Sequence, residues 1–100
     1  MTELNASLAG DVRQQLLDTL ALLVDVLKHE RQVYWLQQLI TARNEISRGD
    51  QHGLQRLLSL YGGPQALDDL TLADGARQSQ LVKLRDSANQ LASALRESRS

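Results

Sequence analysis

The stretch VRQQLLDTLALLVDVL, residues 12–27, decides the fold. At 100° per residue, its apolar positions fall on one face of an α-helix. Those positions are Val12, Leu16, Leu17, Leu20, Leu23, Val24 and Leu27. Asp11, Asp18 and Asp25 recur every seven residues and form a stripe on the opposite face. The pattern predicts an amphipathic helix from about Leu8 to Leu27 that buries one side against other helices.

A second helix is predicted from about Glu30 to Ser47, after the polar break KHERQ at residues 28–32. Its apolar residues spread over about half of the helix circumference. They are Val33, Trp35, Leu36, Leu39, Ile40 and Ile46. A face this broad favours a central helix with more than one neighbour.

Glycines delimit a short third helix, predicted from about Gln51 to Leu60. Gly49 suits the left-handed position that follows a helix, and Asp50 suits the N-cap of the next one. The inward residues are predicted to be Leu54, Leu57, Leu58 and Tyr61. After Gly62-Gly63, Pro64 can begin a single helical turn, PQALDDL, whose Leu67 and Leu70 contact the core.

The last helix is predicted from about Ala76 to Arg96, and its apolar residues form one narrow seam. The seam consists of Leu81, Leu84, Ala88, Leu91 and Leu95. A seam of this kind is typical of coiled-coil edges. It either closes the bundle, which we favour, or binds another chain.

The predicted fold is therefore all-α. A single domain, residues 1–100, forms a compact bundle of about four helices with a short extra turn after Gly62-Gly63. Residues 1–6 and 97–100 are predicted to be frayed. The first residues lack the features of a signal peptide, and acidic residues interrupt the longest apolar run. We therefore expect a cytoplasmic protein that does not span a membrane.

The residues that carry chemistry form no recognisable catalytic or metal-binding set. The chain contains no cysteine, and neither His29 nor His52 has a second histidine at metal-binding spacing. With three aromatic residues and no basic stripe, nucleic-acid binding is not expected either. We predict a protein that is not an enzyme and holds no metal or cofactor.

Charge is segregated along the chain, although the formal net charge is only −1. Residues 1–30 hold five acidic against two basic side chains, whereas residues 77–100 hold five basic against two acidic ones. The two ends either attract each other and keep the surface hydrated, or the acidic end meets a basic partner. Under the second interpretation the candidate partner-binding residues are Asp11, Asp18, Leu22 and Asp25.

Arg43 projects near the middle of the second helix's apolar face. Either its stem packs while the guanidinium reaches water, or a buried guanidinium pairs with Asp68 or Asp69. We favour the pairing for at least one of these aspartates. We expect a structural clasp formed by Arg43, Asp50, Gly62, Gly63, Asp68 and Asp69.

Several of these motifs also occur together in a known family. Trp35, the helix start GD-x-x-G at residues 49–53, LLSLYGG at 57–63 and LDDL at 67–70 come in order with short spacings. The set resembles a family of small uncharacterised bacterial helical proteins that carry W, GDxxG, LLSx(F/Y)GG and LNDL. The likeness spans roughly residues 30–72. Pro64 and Gln65 depart from the family's Met-Gly, and Asp68 stands where Asn is usual.

Members of that family look like the immunity proteins encoded beside secreted bacterial toxins. The resemblance implies a non-catalytic protein-binding module, with a cognate protein toxin as its partner. The leading hypothesis is therefore an immunity protein that binds and neutralises such a toxin. The alternative is a homodimeric helical adaptor or regulatory protein.

Overall fold

The computed structural model describes residues 2–62, 66–67 and 70–98, with side chains described between residues 12 and 97. Four α-helices follow one another: α1 (Thr2–His29), α2 (Val33–Ser47), α3 (Gln51–Ser59) and α4 (Gly75–Ser98). This part of the chain contains no β-strand. The prediction of an all-α bundle is confirmed.

Helices α1 and α4 run antiparallel along the long axis of the molecule. Residues 15–19 of α1 lie beside residues 87–94 of α4, and residues 22–26 lie beside residues 80–84. The 28 residues of α1 correspond to about 42 Å at 1.5 Å per residue. The molecule measures 47 × 23 × 22 Å, so α1 extends along nearly its whole length.

The core is aliphatic and draws on every helix. Leu81, Ala88 and Leu95 of the predicted seam are buried in it, while Leu84 and Leu91 pack partly buried against it. The seam therefore closes the bundle. The buried hydrophobic residues are Leu16, Leu20, Leu23, Val26, Leu27, Leu39, Ala42, Ile46, Leu54, Leu57, Leu60, Ala66, Leu67, Leu72, Leu81, Ala88, Ala92 and Leu95.

Helix α1 begins six residues before its predicted start, at Thr2. The prediction placed the start where the apolar period begins. The preceding residues contain no proline, and alanine and leucine among them favour a helix. Local propensity therefore extends α1 beyond the part that the apolar pattern marks.

A turn centred on Arg31 separates α1 from α2, so the predicted start of α2 at Glu30 is wrong by three residues. Arg31 has a positive φ of 57°. The N–H of Gln32 donates to the carbonyl of Leu27 at 3.0 Å, and the N–H of Arg31 donates to that of Lys28 at 3.3 Å. These two bonds define a Schellman motif, here with arginine at the position usually held by glycine.

Val33 is the first residue of α2 and is 59% exposed. Val33, which the sequence pattern counted in the broad apolar face of this helix, therefore does not contribute to its buried part. The turn at Arg31 sets α2 to begin at the surface, and burial starts farther along the helix. Trp35 and Leu36 pack partly buried against the core, followed by the fully buried Leu39 and Ala42.

The α2–α3 connection follows the local rules closely. Gly49 has φ +79°, and the N–H of Asp50 donates to the Glu45 carbonyl at 2.9 Å. The Asp50 carboxylate accepts the N–H of His52 at 2.9 Å and caps α3. Both predictions are confirmed.

Gly53 lies at a close approach between α2 and α3. A Cβ at this position would lie 2.7 Å from the Ile46 nitrogen and 2.8 Å from the Glu45 Cβ. No ordinary side chain fits there without moving backbone. Beside this contact, Arg56 Nε donates to Glu45 Oε1 at 2.6 Å and ties the two helices by an ion pair.

The segment between α3 and α4 is held to the core by leucines. Leu67 is fully buried, Leu70 packs partly buried, and the N–H of Leu67 donates to the Leu60 carbonyl at 2.8 Å. The predicted contacts of both leucines are confirmed. Ala66 of the predicted turn is also buried, whereas residues 64–65 and 68–69 lie outside the described residues. Asp74 then caps α4 by accepting the N–H groups of Ala76 and Arg77.

Candidate functional site

The surface along the α1–α4 pair carries two neighbouring depressions that share no lining residue. Its larger depression, of about 620 Å³, is lined by Gln15, Asp18, Thr19, Ser87, Gln90, Leu91 and Ala94. A smaller one, of about 200 Å³, lies farther along the same helix pair. It is lined by Leu22, Asp25, Val26, Gln80, Lys83 and Leu84. We call the two depressions together the α1–α4 groove.

Three of the four predicted partner-binding residues line this groove. Asp18 borders the larger depression, and Leu22 and Asp25 border the smaller one. The side chain of Asp11 lies outside the described residues. The sequence placed the aspartates opposite the core. The structure adds that α4 lies beside them, so the stripe forms one edge of a concave surface.

Leu22 is 56% exposed, although it lies between two fully buried leucines of the same helix, Leu20 and Leu23. A single exposed leucine is ordinary on a protein surface. This one is flanked by two carboxylates and opens onto a groove, so an apolar contact is available there beside negative charge.

Local polar contacts hold both carboxylates at the surface. The amide of Gln14 donates to Asp18 Oδ1 at 2.9 Å. The imidazole of His29 lies 3.8 Å from Asp25 Oδ1, and Asp25 is 69% exposed. Within the described side chains, neither aspartate forms an ion pair with lysine or arginine. Both charges therefore face the solvent.

The other carboxylates of the described side chains are mostly engaged within the fold. Glu45 pairs with Arg56, and Glu30 pairs with Arg77 at 3.4 Å. Asp50 and Asp74 cap helices, and hydrogen bonding from the His52 N–H lowers the pKa of Asp50. This contrast distinguishes the groove carboxylates from those that stabilise the fold.

The predicted clasp is only partly within the described residues. Asp50 acts as a cap, and Gly62 adopts φ +79° as the chain leaves α3. Gly63, Asp68 and Asp69 lie outside the described residues. Arg43 is half-buried on α2, and its pairing with Asp68 or Asp69 stays a prediction.

A different arginine holds the described part of this segment. Arg85 Nη1 donates to the carbonyls of Leu67 at 3.3 Å and Leu70 at 3.2 Å. The hydroxyl of Tyr61 donates to the Arg85 carbonyl at 2.6 Å. Sequence reasoning counted Arg85 only in the basic end. Its position four residues after Leu81 and three before Ala88 places it on the same helix face as these seam residues, and this was a signal that it lies near the core.

Gln78 of α4 also binds the segment between α3 and α4 by hydrogen bonds. Its Oε1 accepts the N–H of Leu72 at 2.6 Å, and its Nε2 donates to the Leu70 carbonyl at 3.5 Å. The segment is therefore bound through its backbone by Gln78 and Arg85. These contacts identify it as part of the fold rather than of the groove.

The described residues contain no cluster of three or more His, Asp and Glu side chains that could hold a metal ion. His52 instead contacts the capping carboxylate of Asp50 at 2.9 Å, and His29 Nδ1 lies 2.9 Å from the Asp25 carbonyl. Both histidines lie at helix ends. None of the described helices has the length and hydropathy needed to cross a membrane.

Comparisons with protein-family models, with curated protein sequences and with solved structures reveal no match to this chain.

Proposed function

We propose that this chain is a protein-binding module that acts as a cytoplasmic immunity protein, with a cognate bacterial toxin as its partner. The observation that carries the proposal is the edge of the α1–α4 groove. There the exposed Leu22 lies between two carboxylates that form no ion pair with lysine or arginine in the described part of the chain.

An acidic edge of this kind suits a partner with a basic surface. Complementary charge accelerates encounter and fixes orientation, while a central apolar side chain supplies contact area once water is excluded. The groove offers both within a few helical turns. An inhibitor of a toxin needs such a surface and needs no catalytic group of its own.

The direct test is co-expression with the product of a neighbouring candidate toxin gene. We expect this chain to restore growth of cells that make the toxin, and the two proteins to co-purify. If both proteins are made and growth is not restored, the immunity function is wrong. Size-exclusion chromatography of the co-purified material then measures the stoichiometry.

Charge reversal locates the contact. Asp18→Lys combined with Asp25→Lys should slow association with the toxin, because it turns attraction into repulsion during encounter. Asp86→Lys is the control for a single charge reversal, to be compared with Asp18→Lys alone, since Asp86 is exposed on α4 and outside the groove lining. Association at low salt that is unchanged by the double substitution would place the interface elsewhere.

The homodimeric adaptor was predicted to use the apolar seam of the last helix. Leu81, Ala88 and Leu95 of that seam are buried inside the bundle, so this alternative keeps only Leu84 and Leu91 of its five predicted interface residues. Light scattering tests it independently. A stable dimer at low micromolar concentration would favour the adaptor, whereas a monomer at high micromolar concentration would count against it.

A further inference from the structure

The α1–α4 groove combines apolar side chains with two different polar walls. Leu22 of α1 and Leu84 and Leu91 of α4 line it, and the two leucines of α4 are only partly buried against the core. The α1 wall carries Asp18 and Asp25. The α4 wall carries neutral polar groups and one cation; its residues are Gln80, Lys83, Ser87 and Gln90.

The length of the α1–α4 groove corresponds to one short helix. Its lining covers residues 15–26 of α1 and 80–94 of α4, which correspond to about 16 and 21 Å of helix axis at 1.5 Å per residue. A bound helix of about three to four turns would span that length. A concave surface takes a convex partner, so the same groove on a second copy of this chain does not fit it.

An extended peptide is a poorer occupant than a helix. Both walls are α-helices whose main-chain groups are bonded within each helix, so the groove presents no sheet edge to which a strand could add. A helix brings its main-chain hydrogen bonds with it and needs only side-chain contacts. This is the helix-in-groove mode of recognition, in which apolar residues on one face of the bound helix pack into the groove.

The negative charge of the α1 wall determines which residues the bound helix should carry on the side that faces α1. Asp18 and Asp25 are seven residues apart, which places their Cα atoms about 10 Å apart along the axis. Basic residues at positions i and i+7 of a facing helix have the same spacing. Lys83 on the opposite wall disfavours a second basic edge.

We propose that the α1–α4 groove binds an amphipathic α-helix of the partner protein. The apolar stripe of that helix packs on Leu22, Leu84 and Leu91, and lysine or arginine at i and i+7 faces Asp18 and Asp25. The proposal rests on the proposed function in that the chain must bind a protein. It does not depend on that protein being a toxin.

The test uses the full chain, labelled with ¹⁵N, and a synthetic 18-residue helical peptide. The peptide carries leucine at i, i+4, i+7 and i+11, lysine along one edge of this stripe and glutamine along the other. The control peptide replaces each lysine by glutamate. We expect amide shifts in residues 15–26 and 80–94. At low salt we expect at least tenfold tighter binding of the lysine peptide, because its charges oppose those of the α1 wall. The difference should shrink as salt screens the charges.

Two single variants with the same change in net charge distinguish binding in the groove from non-specific electrostatic attraction to the protein. Asp18→Lys should weaken binding of the lysine peptide about tenfold, whereas Asp86→Lys should leave it within twofold. Circular dichroism checks that both variants keep their helical content. The proposal is overturned if shifts map outside the groove, if both peptides bind equally, or if the two variants weaken binding alike.

The toxin experiment and the peptide experiment fail independently. If the toxin is not neutralised but the lysine peptide binds the groove as described, the helix-in-groove inference stands and the toxin proposal falls. If the toxin is neutralised but its contacts map to α2 and α3, the inference falls and the immunity function stands.

Discussion

The α2–α3 junction and the α1–α4 groove are both places where two helices meet, but their side chains are used differently. At the junction, Gly53 leaves no room for a Cβ beside Ile46, and Glu45 is paired with Arg56. In the groove, Leu22 is exposed and Asp25 faces solvent. The junction residues are therefore committed to the fold, whereas the groove residues are available to a partner.

The largest contrast is expected between two leucines of one helix, Leu20 and Leu22. Leu20→Ala should cost about 2–5 kcal/mol of unfolding free energy, because Leu20 is fully buried and its loss leaves a cavity. Leu22→Ala should change stability by less than about 0.5 kcal/mol. Urea denaturation measures both. Equal losses in the two variants would mean that the exposed face of α1 is not free.

The next contrast compares two glycines. Gly53→Ala should lose about 1–3 kcal/mol, since its Cβ would lie 2.7 Å from a backbone nitrogen of α2. Gly75→Ala is the control: nothing lies within 4 Å of its Cβ, and alanine favours the helix. Thermal denaturation should therefore show a lower Tm than that of the wild type for Gly53→Ala but not for Gly75→Ala. A Gly53→Ala protein as stable as the control would refute the close approach of α2 and α3.

Two helix ends offer a smaller test. Arg31 and Gly49 occupy equivalent positions in two Schellman motifs, with φ of 57° and 79°. Arg31→Gly should stabilise the chain by about 1 kcal/mol, and Gly49→Ala should destabilise it by a similar amount, because side chains are strained in the left-handed region. Urea midpoints measure both signs. A loss of stability in Arg31→Gly would indicate that the arginine side chain matters more than its backbone.

The smallest expected effect depends on pH and concerns the α3 cap. Hydrogen bonding from the His52 N–H lowers the pKa of Asp50 below its ordinary 3.8. A lowered pKa gives stability that is present above the ordinary value and is lost as pH falls through the folded-state value. Asp50→Asn keeps an acceptor but does not titrate. The decrease in Tm from pH 7 to pH 3 should be larger for the wild type than for Asp50→Asn. Parallel losses would contradict the assignment.

Local rules predicted much of the fold because they depend on neighbours in the chain. The face of α1, the glycine at 49 and the cap at 50 all follow from short-range geometry. The turn at Arg31 did not, because nothing in its residue type indicates a left-handed conformation. Val33 was misplaced for the same reason: its exposure depends on where that turn sets the start of α2.

The candidate site could not be predicted from the sequence alone, because it depends on how the helices pack in the tertiary structure. The sequence identified Asp18, Leu22 and Asp25 as one side of α1, but the groove exists only because α4 lies beside them. Arg85 was missed because its acceptors are backbone carbonyls of residues 67 and 70. Carbonyl acceptors carry no residue signature, whereas the predicted partners of Arg43 were recognisable carboxylates.

Hydrogen exchange of the chain, alone and in complex with the co-purified toxin, tests the central claim most directly. If the groove is the binding surface, exchange should slow in residues 15–26 and 80–94, while α3, residues 51–59, should change little. Protection confined to α2 and α3, with the groove exchanging as in the free chain, would contradict the account.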